Sequence, residues 1–185
     1  MALTHTPDEP AFGTLATDFD LPGVDGGQWS LQRCRGPAGL LLMFICNHCP
    51  YVQAVLPRLR EDCRQLQALG IGVAAISSND ASRYPQDGFA AMRALAAQQD
   101  WPFPYLYDES QAVARAYGAV CTPDFFGFDA DLRLRYRGRL DAGGLQPRTP
   151  AMRAELVEAM TEIAAGRPVS APQHASMGCS IKWRD

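Results

Sequence analysis

The chain has 185 residues, 47% of them hydrophobic and 20% charged, with a net charge of -3. That length suits one domain, spanning residues 1–185, with a substantial core; the charge gives no electrostatic case for nucleic acid or an anionic membrane, and neither is expected as a partner. The start, Met1 to Pro10, lacks the basic residues and apolar run of a secretion signal, and no apolar stretch is long enough for a bilayer, so with Met1 as the natural start the expectation is a cytoplasmic protein.

Residues 1–15 are rich in proline and acidic groups and read as a loosely held arm. Asp18 to Leu31 holds two short extended pieces around Asp25-Gly26, a β-hairpin. Leu40 to Ile45 is apolar without alternation, as expected of a strand buried on both faces of a sheet. Val52, Val55, Leu56, Leu59, Cys63 and Leu66 then recur at helical spacing, with Pro57 as a site for a kink. Gly70 to Ser77 is a second buried strand, joined to the first by a right-handed parallel crossover. Phe89, Met92, Leu95 and Ala96 mark a helix and Phe103 to Tyr107 an extended segment. Asp108 and Gln111 fit a capping-box start to a helix ending near Gly118. Two antiparallel strands flank a turn at Asp129-Ala130-Asp131. In the second, Leu132, Leu134, Tyr136 and Leu140 alternate with Arg133, Arg135, Arg137 and Arg139, which places the arginines in solvent. Thr149-Pro150 opens a last helix, with Met152, Leu156, Met160 and Ile163 inward and Gly166 closing it. Residues 167–185 form a tail.

The chemistry concentrates in Cys46-Asn47-His48-Cys49, at the junction of the first buried strand with the helix after it. A Cys-x-x-Cys pair there can close a small disulfide, and the partial positive charge of a helix N-terminus favours thiolate. The same spacing serves as half a zinc site, but no second Cys or His pair accompanies it: Cys34, Cys63, Cys121 and Cys179 are scattered singly. In a reducing compartment such a close pair is catalytic or redox-sensing rather than a staple. Pro50 adds a constraint. It has no N–H to offer the Cys46 carbonyl and it biases Cys49 away from the α region, so the regular helix is expected to begin near Pro50, with Cys49 close to its N-terminus.

Parallel βαβ followed by antiparallel ββα, with a Cys pair at that junction, resembles the thioredoxin superfamily. From Ala11 to about Asp141 the chain is similar to the branch holding the peroxiredoxins and the TlpA-like thiol-disulfide oxidoreductases (AhpC/TSA-type). Asp18-Phe19-x-Leu21-Pro22-x-x-Asp25-Gly26 resembles its N-terminal hairpin, and Phe103 to Asp108 with Ala116 to Val120 its inserted strand and helix. Thr122-Pro123 falls where the superfamily carries a cis-proline. The tail Ser176 to Trp183 resembles that of uncharacterised bacterial thioredoxin-like proteins sharing Phe44 to Tyr51. The resemblance implies an α/β thioredoxin-like fold, a central mixed sheet flanked by helices.

It also implies roles. Cys46 would attack, Cys49 would resolve, His48 would stabilise a thiolate, and the Thr122-Pro123 loop would pack against the pair and offer backbone groups to substrate. Aligning the peroxiredoxin pattern Pro-x-x-x-Thr/Ser-x-x-Cys instead puts the reactive thiol at Cys49, with Cys46 in the Thr/Ser position and Leu42 in that of the proline, and leaves the choice of leading sulfur open. Arg137 and Arg139 are the candidates to polarise a peroxide. Cys121, beside the proline loop, is a third redox partner or a small buried hydrophobe; Cys179 could resolve a mixed disulfide if the tail folds back. Cys63 sits on an apolar stripe, and His5 and His174 lie in terminal segments facing solvent.

The leading expectation is a thiol-disulfide oxidoreductase working through a Cys46/Cys49 couple, with a disulfide substrate and an external thiol reductant. It needs no bound cofactor and no metal, since sulfur carries both electrons. The alternatives are a thiol peroxidase reducing hydroperoxides, or a non-enzymatic module holding copper(I) or zinc through Cys46, His48 and Cys49.

Overall fold

The computed structural model describes residues 3–6 and 10–184. A hairpin, β2 (Asp20–Pro22) and β3 (Gln28–Ser30), turns at Asp25-Gly26 after a first strand, β1 (Leu3–His5), and leads into a single helical turn, α1 (Leu31–Cys34). The central strand is β4 (Gly39–Phe44), followed by α2 (Pro50–Ala68), β5 (Ile71–Ser77), α3 (Phe89–Gln99) and β6 (Tyr105–Tyr107). Then come α4 (Ala112–Tyr117), β7 (Cys121–Thr122), β8 (Asp124–Phe128), β9 (Leu134–Gly138), α5 (Glu155–Ala164) and β10 (Met177–Ser180).

The main sheet runs in the order β6-β5-β4-β8-β9. β4, β5 and β6 are parallel, β8 and β9 antiparallel, so the sheet is mixed with helices against it. All six residues of β4 are buried because it has a core on each face: Leu41 and Met43 pack with the apolar stripe of α2, while Leu40, Leu42 and Phe44 pack with Phe19, Leu21, Phe126 and Phe128 on the other side. Alternate side chains of a strand point to opposite faces, so a run with no polar residue is what two cores require.

Several expectations need correction. The start of the arm is not loose where it is described: β1 pairs with β10, and Thr6 is buried with its amide donating to the Ser176 carbonyl at 3.0 Å. Residues 1, 2 and 7–9 of that arm lie outside the described residues, as does Asp185 of the tail. The tail folds back as β10, which pairs antiparallel with both β1 and β7. α5 begins at Glu155, not at Thr149, and α2 runs continuously through Pro57. Asp108 does cap α4, accepting from the Ala114 amide at 2.9 Å, but Gln111 sits at φ 64° and turns its side chain away to the carbonyls of Ser78 and Lys182.

The arginine face of β9 is wet only in part. Arg133 and Arg135 are exposed, whereas Arg137 is buried: its guanidinium bonds the fully buried Asp124 at 3.0 Å and covers the Phe126 ring. Arg139 is half-buried and holds Glu155 with two bonds, 2.7 and 3.0 Å. A buried carboxylate demands a partner, and this demand overrides the period-2 pattern.

Candidate thiol site

α2 begins at Pro50 with Cys49 as its N-cap, at φ -70° and ψ 124°. The position follows from proline chemistry: an N–H is not needed at the first helical residue, so Pro50 fits there, and the residue before it stays extended. The Cys49 carbonyl takes the first helical bond, from the Gln53 amide at 2.9 Å. The pair therefore straddles the strand's exit and the helix's start, with Cys49 at the positive end of a helix of 19 residues.

The six cysteines are all thiols and all buried. Three of them meet at the site. The Cys49 sulfur lies 2.8 Å from that of Cys179 and 3.2 Å from the Thr122 carbonyl, and it is hydrogen-bonded to the Cys46 thiol. Cys46 in turn sits 3.2 Å from the Thr122 hydroxyl. The Thr122-Pro123 peptide is cis, and β7, which carries Thr122, is the edge that β10 pairs with. Thr122 thus contacts both sulfurs of the motif, its hydroxyl beside Cys46 and its carbonyl accepting from the Cys49 thiol.

The two sulfurs are driven apart in acidity. Cys49 is pulled down to about 5 by hydrogen bonds from Cys46 and Cys179 and by the amides of Val52 and Cys179, against the cost of burial. Cys46 is pushed well above the ordinary thiol range, first by its bond to Cys49, then by burial and the nearby Asp87 carboxylate. Cys179 is raised to about 12 by burial and by its bond to Cys49. Cys121 is raised by burial, and its sulfur is 3.8 Å from the Pro123 carbonyl; it packs in the core beside the loop. Cys63 lies in the core on α2 and Cys34 in the core behind β4.

His48 does not reach the sulfurs as a bare surface ring. Its Nδ1 is 2.5 Å from an oxygen of Asp87, and the ring stacks on Tyr84 with centroids 5.6 Å apart. Asp87 is fully buried. Its two oxygens also accept from the amides of Asn47 (2.8 Å) and His48 (3.3 Å) and from the side-chain amide of Asn79 (2.8 Å). Asn47 is fixed further by Tyr105, whose hydroxyl donates to its side-chain oxygen at 3.1 Å. The sulfur of Cys46, a ring nitrogen of His48 and an oxygen of Asp87 all lie within 4.8 Å of one another. That set has the chemistry of a metal site, but it is closed as a hydrogen-bond network: four donors already occupy the carboxylate.

Asp87, Asn79, Tyr84 and Tyr105 carried no signal in the sequence reading. Asn79 was accessible to it: parallel strands bring their C-terminal ends together, so the Ser78-Asn79-Asp80 run after β5 had to lie beside the end of β4. Asp87, in a polar loop between β5 and α3, had no such marker.

The mixed sheet, the junction of β4 with α2 and the cis-proline edge define a thioredoxin-fold protein. The family model of the AhpC/TSA family matches residues 12–137, and the chain belongs to that family. An uncharacterised conserved protein from Geobacillus kaustophilus is 41% identical over 100% of this chain and 97% of its own, with a TM-score of 0.93. A hypothetical protein from Sinorhizobium meliloti 1021 is 36% identical over 98% of each chain, with a TM-score of 0.89. The peroxidoxin BcpB from Mycobacterium tuberculosis shares the fold at 18% identity and a TM-score of 0.56, covering 67% of this chain and 82% of its own. No curated protein matches the chain. Family and fold together make this a thiol-based redox protein.

Proposed function

We propose that the protein is a thiol-disulfide oxidoreductase in which Cys49 leads and Cys46 resolves, the reverse of the order implied by thioredoxin resemblance. The observation that carries this reading is the place of Cys49 at the N-cap of α2 with the thiols of Cys46 and Cys179 against its sulfur; there its acidity is raised, while the bond to Cys49 and burial suppress that of Cys46. The Cys49 thiolate attacks one sulfur of a substrate disulfide, forming a mixed disulfide and releasing the first substrate thiolate. With the charge on Cys49 gone, the main influence raising Cys46 disappears, and the Cys46 thiol can yield its proton to the departing substrate thiolate. Cys46 then attacks the Cys49 sulfur, closing Cys46–Cys49 and expelling the second substrate thiolate, which takes up a proton. An external thiol reductant returns the two electrons, and the cytoplasmic setting inferred from the sequence, where such reductants are abundant, belongs to the same proposal.

Peroxide reduction is the lesser reading. It needs a cation at the thiolate, and both arginines considered for that role are engaged elsewhere, Arg137 with Asp124 and Arg139 with Glu155. The raised acidity of Cys49 comes instead from thiols and amides. Steady-state reduction of a small aromatic disulfide and of hydrogen peroxide, each coupled to dithiothreitol, tests the choice. Disulfide turnover that falls to the uncatalysed background in Cys49→Ser is the expected result. Turnover unchanged in that variant, or peroxide reduced faster than the disulfide, would refute it.

A further inference from the structure

Cys49 has a thiol on each side, and only one of them belongs to the motif. The second, Cys179, is placed by the fold. β10 is hydrogen-bonded to the strand carrying the cis-proline loop, with Cys179 opposite Thr122 and Ser180 opposite Cys121. Gly178 permits this approach: a Cβ there would meet the Thr122 carbonyl oxygen at 2.0 Å. Both flanks of Cys179 are tied down. Ser176 exchanges bonds with Thr6, and beyond the cysteine Ile181 is buried with its amide donating to the Val120 carbonyl at 3.0 Å. The Lys182 amide donates to Asn79 at 2.9 Å, the same residue that holds Asp87. A thiol held 2.8 Å from the Cys49 sulfur by two anchored segments is positioned for exchange, whereas Cys121, on the same small sheet, directs its sulfur to a backbone carbonyl.

We propose that Cys179 is a second resolving thiol, so that Cys49 can be oxidised to either of two intramolecular disulfides, Cys46–Cys49 or Cys49–Cys179. This rests on the dithiol reading of the site. In the first route to the second disulfide, Cys179 attacks the Cys49 sulfur of a mixed disulfide and expels the substrate thiolate. In the other it attacks Cys49 within the Cys46–Cys49 disulfide: the Cys49–Cys179 bond forms, the Cys46–Cys49 bond breaks, and the proton leaving Cys179 goes to Cys46. No electrons are gained or lost in that second exchange, which moves the oxidised bond to the tail and returns Cys46 as a thiol. Burial first, and then the bond that Cys179 donates to Cys49, keep Cys179 protonated in the reduced protein; the second of these is absent once Cys49 is oxidised, so the barrier to its ionisation falls as its turn to react arrives.

The test is disulfide mapping by mass spectrometry, with a thiol count, on full-length protein treated with oxidised glutathione. Wild type, Cys46→Ser, Cys179→Ala and the double variant Cys46→Ser with Cys179→Ala are compared. Glutathione disulfide supplies the oxidising equivalents, and each protein disulfide formed releases two glutathione thiols. We expect Cys46→Ser to lose two thiols and yield a Cys49–Cys179 peptide pair, while the double variant stops at glutathione on Cys49. If Cys46→Ser also stops at the glutathione adduct with Cys179 unmodified, the proposal is overturned while the Cys46/Cys49 reading survives in the wild type. If the wild type loses no thiols and carries no adduct, the dithiol reading itself fails and takes this one with it. Circular dichroism of Cys179→Ala and of Cys179→Ser identifies which variant keeps the native fold and is carried into the comparison.

Discussion

Cys49 and Cys63 stand on one helix, one at its start and one two-thirds along it, and neither side chain is exposed to solvent at all. Burial alone would make both inert. Cys63 follows that rule, its acidity suppressed by an apolar surrounding and by the neighbouring Asp62. Cys49 reverses it, because two thiols, the Val52 amide in the first turn of the helix and the Cys179 amide of β10 point their protons at its sulfur. The difference teaches that reactivity here is conferred by donors, and that removing donors should convert one cysteine toward the other.

The largest effect expected is on exchange itself. Cys49→Ser reduces disulfide turnover to background, while Cys63→Ala leaves turnover at the wild-type rate and costs about 1 kcal/mol of stability by denaturant unfolding. Equal losses of turnover in both variants would break the contrast. Next is Gly178→Ala. The added Cβ forces β10 away from the Thr122 carbonyl, which should destabilise the fold by about 1–3 kcal/mol as other overpacked sites do. It should also raise the pH at which the Cys49 thiolate forms, since the Cys179 donors retreat with the strand; a thiolate titration at the wild-type midpoint would show that β10 contributes nothing.

Stability against pH sharpens the comparison further. Cys49 ionises at about 5 in the fold against 9.0 for an ordinary thiol, so its contribution is complete above pH 9.0 and is lost as pH falls toward 5. Cys34 and Cys179, raised to about 12, act oppositely: what they contribute is complete below 9.0 and is lost as pH climbs beyond it, and Cys63 adds to that trend. Unfolding free energy is therefore expected to decline above pH 9.0, with a shallower decline in Cys63→Ala. The smallest effect is expected from Thr122→Val, which keeps the carbonyl facing Cys49 and removes the hydroxyl beside Cys46. One lost bond of about 1 kcal/mol should slow alkylation of Cys46 roughly fivefold.

The parts of this site built from neighbours in sequence were legible before the fold was known. β4, the Cys pair and the start of α2 are contiguous, and the missing N–H of Pro50 with its bias on the preceding residue pointed to a helix start near Pro50, where the structure makes Cys49 the N-cap. Thr122-Pro123 was recognisable through a family pattern. The parts held by distant partners were not. β10 carries no strong strand signal in Met177-Gly178-Cys179-Ser180, and its position depends on a glycine fitting over a carbonyl and on pairing with a segment at the opposite end of the chain. Arg137 is misread for the same reason: the alternation of β9 is local, while Asp124, which pulls the guanidinium inward, sits on another strand. Asp87 governs Asn47 and His48 from a separate loop, and no spacing in the sequence links them.

The most direct test of the central claim, that Cys49 is the resident thiolate, is an ultraviolet thiolate titration of the reduced wild type beside Cys49→Ser and Cys46→Ser. The account predicts a single thiolate appearing with a midpoint near 5, absent in Cys49→Ser and retained in Cys46→Ser, whose hydroxyl keeps a donor at that position. A midpoint close to the ordinary 9.0, or a low-pH thiolate that survives in Cys49→Ser and vanishes in Cys46→Ser, would contradict it.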